Sequence, residues 1–215
     1  MTAPQDFVRS MIEQDVLRFG DFTLKSGKQS PYFFNLGNVD NGPGLLELGR
    51  SFADCISANG LQPEVLFGPA YKGIPFVVAT AIAFAERGVL VEVAHNRKEA
   101  KGYGEGGWLV GAELADRRVV MIDDVVVDGS TKIESAELIR NEGGILAGIV
   151  IGIDRLEYVN ESQTASEALA AQLHVEIYSV ATLEDVLPVL RDEPSYADNY
   201  RAMSDYATQT CKIGT

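Results

Sequence analysis

The chain has little of what several functional classes require. Its 215 residues hold only two cysteines, Cys55 and Cys211, far apart and without CxxC or Cys/His spacing. Neither a zinc site nor a disulfide framework is expected, and a reducing cytoplasm is the expected compartment. No apolar run approaches the roughly 18 residues that a membrane helix needs. Asp6, Arg9, Glu13, Asp15 and Arg18 interrupt the opening segment, so no signal-peptide core is expected there. Cations are scarce: 18 Lys and Arg against 31 Asp and Glu give a net charge of −13. Such a chain repels phosphate backbones and anionic lipid, which argues against nucleic acid or a membrane as partner. Internal repeats, low-complexity tracts and linkers are also lacking.

What is present is globular. Hydrophobic residues make up 46% and charged residues 23%, enough to bury a core, and the length fits one α/β domain over 1–215. Phe7, Val8, Met11, Ile12, Val16 and Leu17 recur at helical spacing, and Gly20 stands where a left-handed cap would end that helix. Two β-prone pieces, 21–24 and 31–35, joined by a polar connection over 25–30, predict a small antiparallel flap. Leu45, Leu48, Phe52, Cys55 and Ile56 predict a second helix closed by Asn59-Gly60. Strand and helix then alternate: strand 64–67, helix 74–87, strand 89–95, a glycine-rich loop, strand 118–122, helix 130–141 and strand 145–153. This is the rhythm of a mostly parallel sheet flanked by helices. A strand near 175–180 and a helix from Thr182, with Asp185 at its third position, precede an expected polar tail.

In open parallel sheets ligands bind beyond the carboxyl ends of the strands, and four such junctions stand out. The first runs from a buried strand through Asp123, Asp124, Val125, Val126, Val127 and Asp128 to Gly129, Ser130 and Thr131 at a helix start. Gly129 permits a tight turn, the next N–H groups lie at a helix N-terminus, and Ser130 and Thr131 add hydroxyls, a set that suits a phosphate monoester. Asp123 and Asp124 accept only, which suits sugar hydroxyls or a magnesium shell. A solvated acidic turn with Ser130 as an ordinary N-cap is the simpler alternative.

The second junction presents Tyr71 and Lys72 in a turn punctuated by glycine and proline. The third, residues 96–107, gathers Arg97, Lys98 and Lys101 among glycines, either a lid that carries cations over a polyanion or a flexible hairpin with solvated charges. The fourth is Arg155, a candidate for bidentate carboxylate binding or for a plain surface salt bridge.

Taken together these strings resemble the type I phosphoribosyltransferases, in particular their orotate branch. Asp123 to Thr131 resembles the phosphoribosyl-diphosphate motif of the whole family. Leu24 to Gly27 followed by Ser30 to Asn35, and Arg97 to Lys101 followed by Gly104 to Gly107, resemble the orotate branch. The resemblance implies the family fold, with a small hood over the site built from about 1–40 and the C-terminal part. It implies that Lys25 reaches the active site and that Phe33 and Phe34 frame the orotate ring, although core packing is the simpler fate for phenylalanine. It further implies that Tyr71 and Lys72 meet the diphosphate, and that Arg97, Lys98 and Lys101 form a lid reaching partly into a neighbouring subunit of a homodimer. Asp123 and Asp124 would face the ribose hydroxyls, Val127 to Thr131 the 5′-phosphate, and Arg155 the orotate. Magnesium is the implied cofactor, held mainly by substrate and water, and Lys101, Asp123 and Asp124 are the implied catalytic residues.

Three positions depart from the family pattern. Tyr103 stands where a lid histidine is usual, Val127 where threonine is common, and Asp128 where a small neutral residue is usual. An acid beside a bound phosphate repels it unless its side chain points outward or holds a backbone N–H. The expected function is transfer of a phosphoribosyl group from phosphoribosyl diphosphate to orotate in pyrimidine synthesis. A phosphoribosyltransferase for another base and a non-catalytic phosphoribosyl-diphosphate sensor are the alternatives.

Overall fold

The computed structural model describes residues 3–24, 27–101 and 107–214, with the backbone alone at 100 and 101. Its centre is a six-stranded sheet in the order β5-β4-β3-β6-β7-β8. The strands are β3 (Val65–Gly68), β4 (Glu92–Lys101), β5 (Gly107–Gly111), β6 (Arg118–Asp123), β7 (Ile145–Asp154) and β8 (Ile177–Thr182). All neighbours are parallel except β4 and β5, which pair antiparallel as the edge hairpin.

The continuous apolar strands follow from burial on both faces. Leu66, Val120, Ile122, Val150 and Ile153 belong to one core, while Val65, Phe67, Val119, Met121, Ile149 and Ile151 belong to the other. The first core is closed by α2 (Gly42–Ala58) and α3 (Gly73–Glu86), the second by α4 (Ser130–Asn141) and α5 (Ala165–Leu173). Alternate residues of one strand therefore anchor opposite layers.

The expected flap is present as β1 (Leu17–Thr23) paired antiparallel with β2 (Gln29–Phe34). The first helix, α1 (Pro4–Glu13), stops earlier than its apolar spacing predicts. Asp15 adopts a left-handed φ of 54°, and the buried Val16 leads into β1, whose first residue Leu17 is also buried. Gly20 does not cap a helix; it lies inside β1, where the pairing register slips between Phe19 and Phe22.

The predicted α6 (Leu183–Asp192) begins at Thr182, whose backbone N–H donates to Asp185 Oδ2 at 2.8 Å. The expected polar tail is instead helix α7 (Ala197–Thr210), which buries Met203 and Ala207. It packs on α6 and β2, and α1 packs on α6 and β8, so both terminal helices share α6 as a neighbour. The stretch read as a glycine-rich loop is ordered at both arms: β4 runs on to Lys101, and β5 starts at Gly107.

Gly49 shows how tightly α2 and α3 approach, since a Cβ there would lie 2.3 Å from the Ala79 carbonyl oxygen. Gly49→Ala is expected to cost about 1–3 kcal/mol by forcing the helices apart. Thermal unfolding checks this: the midpoint should fall by several degrees, and an unchanged midpoint would mean that the helix pair shifts freely.

Candidate active site

The end of β6 places two carboxylates side by side with little solvent. Asp123 Oδ1 accepts from the Asp124 N–H at 2.9 Å, and its Oδ2 accepts from Lys132 Nζ at 2.6 Å. Asp124 repeats the pattern: Oδ1 takes the Val125 N–H at 2.8 Å and Oδ2 takes Lys72 Nζ at 2.8 Å. Each acid is thus held by one backbone donor and one lysine. Burial pushes the Asp123 carboxyl above its ordinary value; the Lys132 ammonium opposes this and the neighbouring Asp124 adds to it.

Lys132 is the residue that sequence reading missed. Its side chain, like that of Asp123, is more than nine-tenths buried. A cation in the first turn of a helix opposes the macrodipole, so its presence in α4 was the available signal that an acid must lie nearby.

After the acids, Val125 is half-buried, Val126 is core and Val127 is exposed, so Val126 can offer a ligand only its backbone. Gly129 turns at φ 74°, and a Cβ there would press on Leu169 at 3.0 Å. Asp128 Oδ1 accepts from the Ser130 N–H at 3.0 Å and from the Ser130 hydroxyl at 2.9 Å. Those bonds, the backbone one first, hold the Asp128 carboxyl below its ordinary value. Thr131 follows in the first turn of α4.

At the end of β3, Tyr71 is 67% exposed and Lys72 caps α3. The Ala70 N–H donates to Asn96 Oδ1 at 2.8 Å, tying this turn to β4. Lys98 Nζ lies 4.9 Å from the centre of the Tyr71 ring. Arg97 and Lys98 also line a groove of about 640 Å³ between the hairpin and α4, together with Trp108, Thr131 and Ser135. That groove reaches the start of α4 at Thr131, but Asp123 and Asp124 do not line it. The Lys101 backbone pairs with Gly107, whereas Lys25 and Tyr103 lie outside the described residues.

Arg155, just beyond β7, is not on the surface. It is 7% exposed, its Nε donates to Glu157 Oε1 at 2.7 Å, and its Nη2 donates to Ser30 Oγ at 3.0 Å. The guanidinium lies 4.0 Å from the centre of the Tyr32 ring. Glu157 is the hub: its Oε1 also takes the Tyr206 hydroxyl at 2.6 Å, and its Oε2 faces Lys28 Nζ at 3.3 Å. Burial would raise the Glu157 carboxyl, but Arg155, the Tyr206 hydroxyl and Lys28 together hold it below its ordinary value. The two phenylalanines separate by strand alternation. Phe34 turns into the core with Tyr32, while Phe33 stays half-buried on the other face beside Phe22 and Arg18. Phe34 therefore packs the core beneath the flap, leaving Phe33 as the more accessible ring.

Comparison with known proteins extends this picture. The family model "Phosphoribosyl transferase domain" matches residues 35–179. A relative from Nitrosococcus oceani named orotate phosphoribosyltransferase is 46% identical over 205 residues, covering 95% of this chain and 93% of its own. The chain belongs to the orotate phosphoribosyltransferase family. A like-named relative from Laribacter hongkongensis is 45% identical over 95% of this chain and 96% of its own. The crystal structure of orotate phosphoribosyltransferase from Francisella tularensis superposes with a TM-score of 0.84 at 30% identity, covering 96% of this chain and 99% of that one. The type I phosphoribosyltransferase fold expected from the strand-helix rhythm is thus the fold observed.

In this orotate phosphoribosyltransferase family member the Lys132–Asp123 pair is sealed from water, so removing the cation strands a buried charge. Lys132→Met is expected to destabilise the protein by about 3–5 kcal/mol, and Asp123→Asn in the same chain to recover part of that. Denaturant titration of the single and double variants measures both. A loss under about 1 kcal/mol in the single variant would mean that Asp123 needs no partner.

Proposed function

We propose that this chain transfers the phosphoribosyl group of 5-phospho-α-D-ribose 1-diphosphate to orotate, giving orotidine 5′-phosphate and diphosphate. The observation that carries the reading is the convergence, at the C-terminal ends of β3, β6 and β7, of three features. These are a lysine-held acid pair, a glycine-headed helix N-terminus and a buried arginine. The orotate ring nitrogen bonds to the anomeric carbon as the bond to diphosphate breaks, and the leaving group departs with the electron pair while the nitrogen gives up its proton. Positive charge grows on the sugar and negative charge on the diphosphate, so orientation and electrostatic clamping do most of the work.

Within this reading Asp123 and Asp124 take the ribose hydroxyls, Lys72, Arg97, Lys98 and Lys101 clamp the diphosphate, and Gly129, Ser130 and Thr131 seat the 5′-phosphate. Arg155 meets the orotate carboxylate beside Phe33, under a hood that residues 1–40 and α7 build over a single domain. Both acids already accept from a lysine and a backbone N–H, and among the described residues no cluster of three or more acids, histidines or cysteines forms a metal cage. The pair fits magnesium that is carried chiefly by diphosphate oxygens and water. When bound, that ion offsets charge on the departing diphosphate.

A homodimer is part of the proposal. Val78 and Ile82, one turn apart on α3, are exposed apolar residues, a pair suited to self-association about a twofold axis. A cytoplasmic setting is supported by two free cysteines and by the lack, among the described residues, of a helix long and apolar enough to cross a membrane. A second reading, transfer to another base, is favoured by Val127, which lacks the hydroxyl of the threonine common at that position.

The deciding assay follows orotate absorbance with phosphoribosyl diphosphate and magnesium, beside adenine, hypoxanthine, guanine and uracil. Turnover of orotate alone is expected, and turnover of another base alone would replace it. Lys101→Ala should lower kcat by roughly 10²–10³, and an unchanged kcat would remove the lid from the mechanism. Mixing Lys101→Ala with Asp124→Ala protomers should regain activity if lid and acids of one site come from two chains; no recovery on mixing would confine each site to one chain. Arg155→Ala should raise KM for orotate far more than KM for phosphoribosyl diphosphate, and equal losses would deny Arg155 that role.

A further inference from the structure

The turn that seats the 5′-phosphate in the proposed function already contains an anion of its own. Asp128 Oδ1 takes both the N–H and the hydroxyl of Ser130, at 3.0 and 2.9 Å. A phosphate at a helix N-terminus is held by just such donors, the first N–H groups and the hydroxyls of the first turn. One donor of each kind is therefore engaged from within before any ligand arrives.

The bond differs from ordinary helix capping in position. The N-cap residue of α4 is Gly129, and a capping side chain normally belongs to that residue and accepts from the second or third helical N–H. Asp128 stands one residue outside the cap and takes the first. The nearby cation offers it little relief, because Lys132 Nζ is bound to Asp123 at 2.6 Å. Asp128 itself is exposed, so its carboxylate can turn into water once its two bonds are broken.

We infer that Asp128 is an internal competitor of the substrate's 5′-phosphate, a specificity-determining residue that sets the affinity for phosphoribosyl diphosphate. The inference rests on the proposed function and deepens it. Binding the phosphate requires the carboxylate to release Ser130 and rotate outward, because the Ser130 N–H and hydroxyl that Asp128 holds are the donors the phosphate would take. Affinity for the phosphorylated sugar is held down, while recognition of orotate at Arg155, on another strand, is untouched.

The test compares wild type with Asp128→Asn, which keeps an acceptor but removes the charge, and Asp128→Ala, which removes both. Titration calorimetry with ribose 5-phosphate and with phosphoribosyl diphosphate reads binding, and steady-state kinetics reads KM for each substrate. Both variants should bind both ligands about tenfold more tightly, with KM for orotate unchanged. A purely structural cap would instead show a lower melting temperature with affinity unchanged or weaker in both variants, and that result overturns the inference. If wild type turns over orotate and neither variant binds more tightly, only the competitor role falls. If neither wild type nor variants bind phosphoribosyl diphosphate, the proposed function falls with it.

Discussion

Two carboxylates side by side at the end of a buried strand repel each other and lose solvation, so the strand end exists only because something neutralises them. Here two lysines do so from opposite sides of β6: Lys72 from the start of α3 and Lys132 from the start of α4. That requirement fixes much of the architecture. Each helix must begin at the C-terminal edge of the sheet, next to β6, which is where a parallel sheet with helices on both faces delivers helix N-termini. The same geometry that solves the charge problem also places backbone donors and hydroxyls around the acids.

A second polar group is organised differently. Arg155 is buried against Tyr32 and Ser30 of the flap, Glu157 beyond β7, and through Glu157 reaches Tyr206 of α7 and Lys28. Its charge is balanced by one carboxylate that serves several donors, so loss of any contributor leaves the others less well satisfied. The acid-bearing edge of the sheet is thus local in construction, whereas the cluster around Arg155 is assembled from distant parts of the chain.

This difference explains what could be read from sequence. The β6 to α4 segment declares itself because strand, acids, glycine turn and helix are contiguous, and the doubly buried strands are plain from their unbroken apolar runs. Val16 and Leu17 fit a helical stripe as well as a strand, and only the left-handed Asp15 breaks the tie. α7 shows a thin stripe of Tyr200, Met203, Tyr206 and Ala207 in a polar segment, too weak to stand out without the flap it covers. Phe33 and Phe34 are adjacent in sequence, and strand register alone decides which one is core. Lys132 signals only that an acid lies nearby, and neither that acid nor the burial of Arg155 can be named without the partners that folding supplies.

The support of Arg155 also has an order in time. During synthesis the acid pair, its lysines and the Gly129 turn are all present once β7 has emerged, so that part of the site can take shape early. Tyr206 belongs to the last helix described, and the hub at Glu157 gains its hydroxyl partner only when α7 docks onto β2. The half of the site proposed to handle phosphate is therefore complete in principle well before the half proposed to recognise the base. A chain halted between the two would hold the acids, their lysines and the glycine turn without the finished cluster around Arg155.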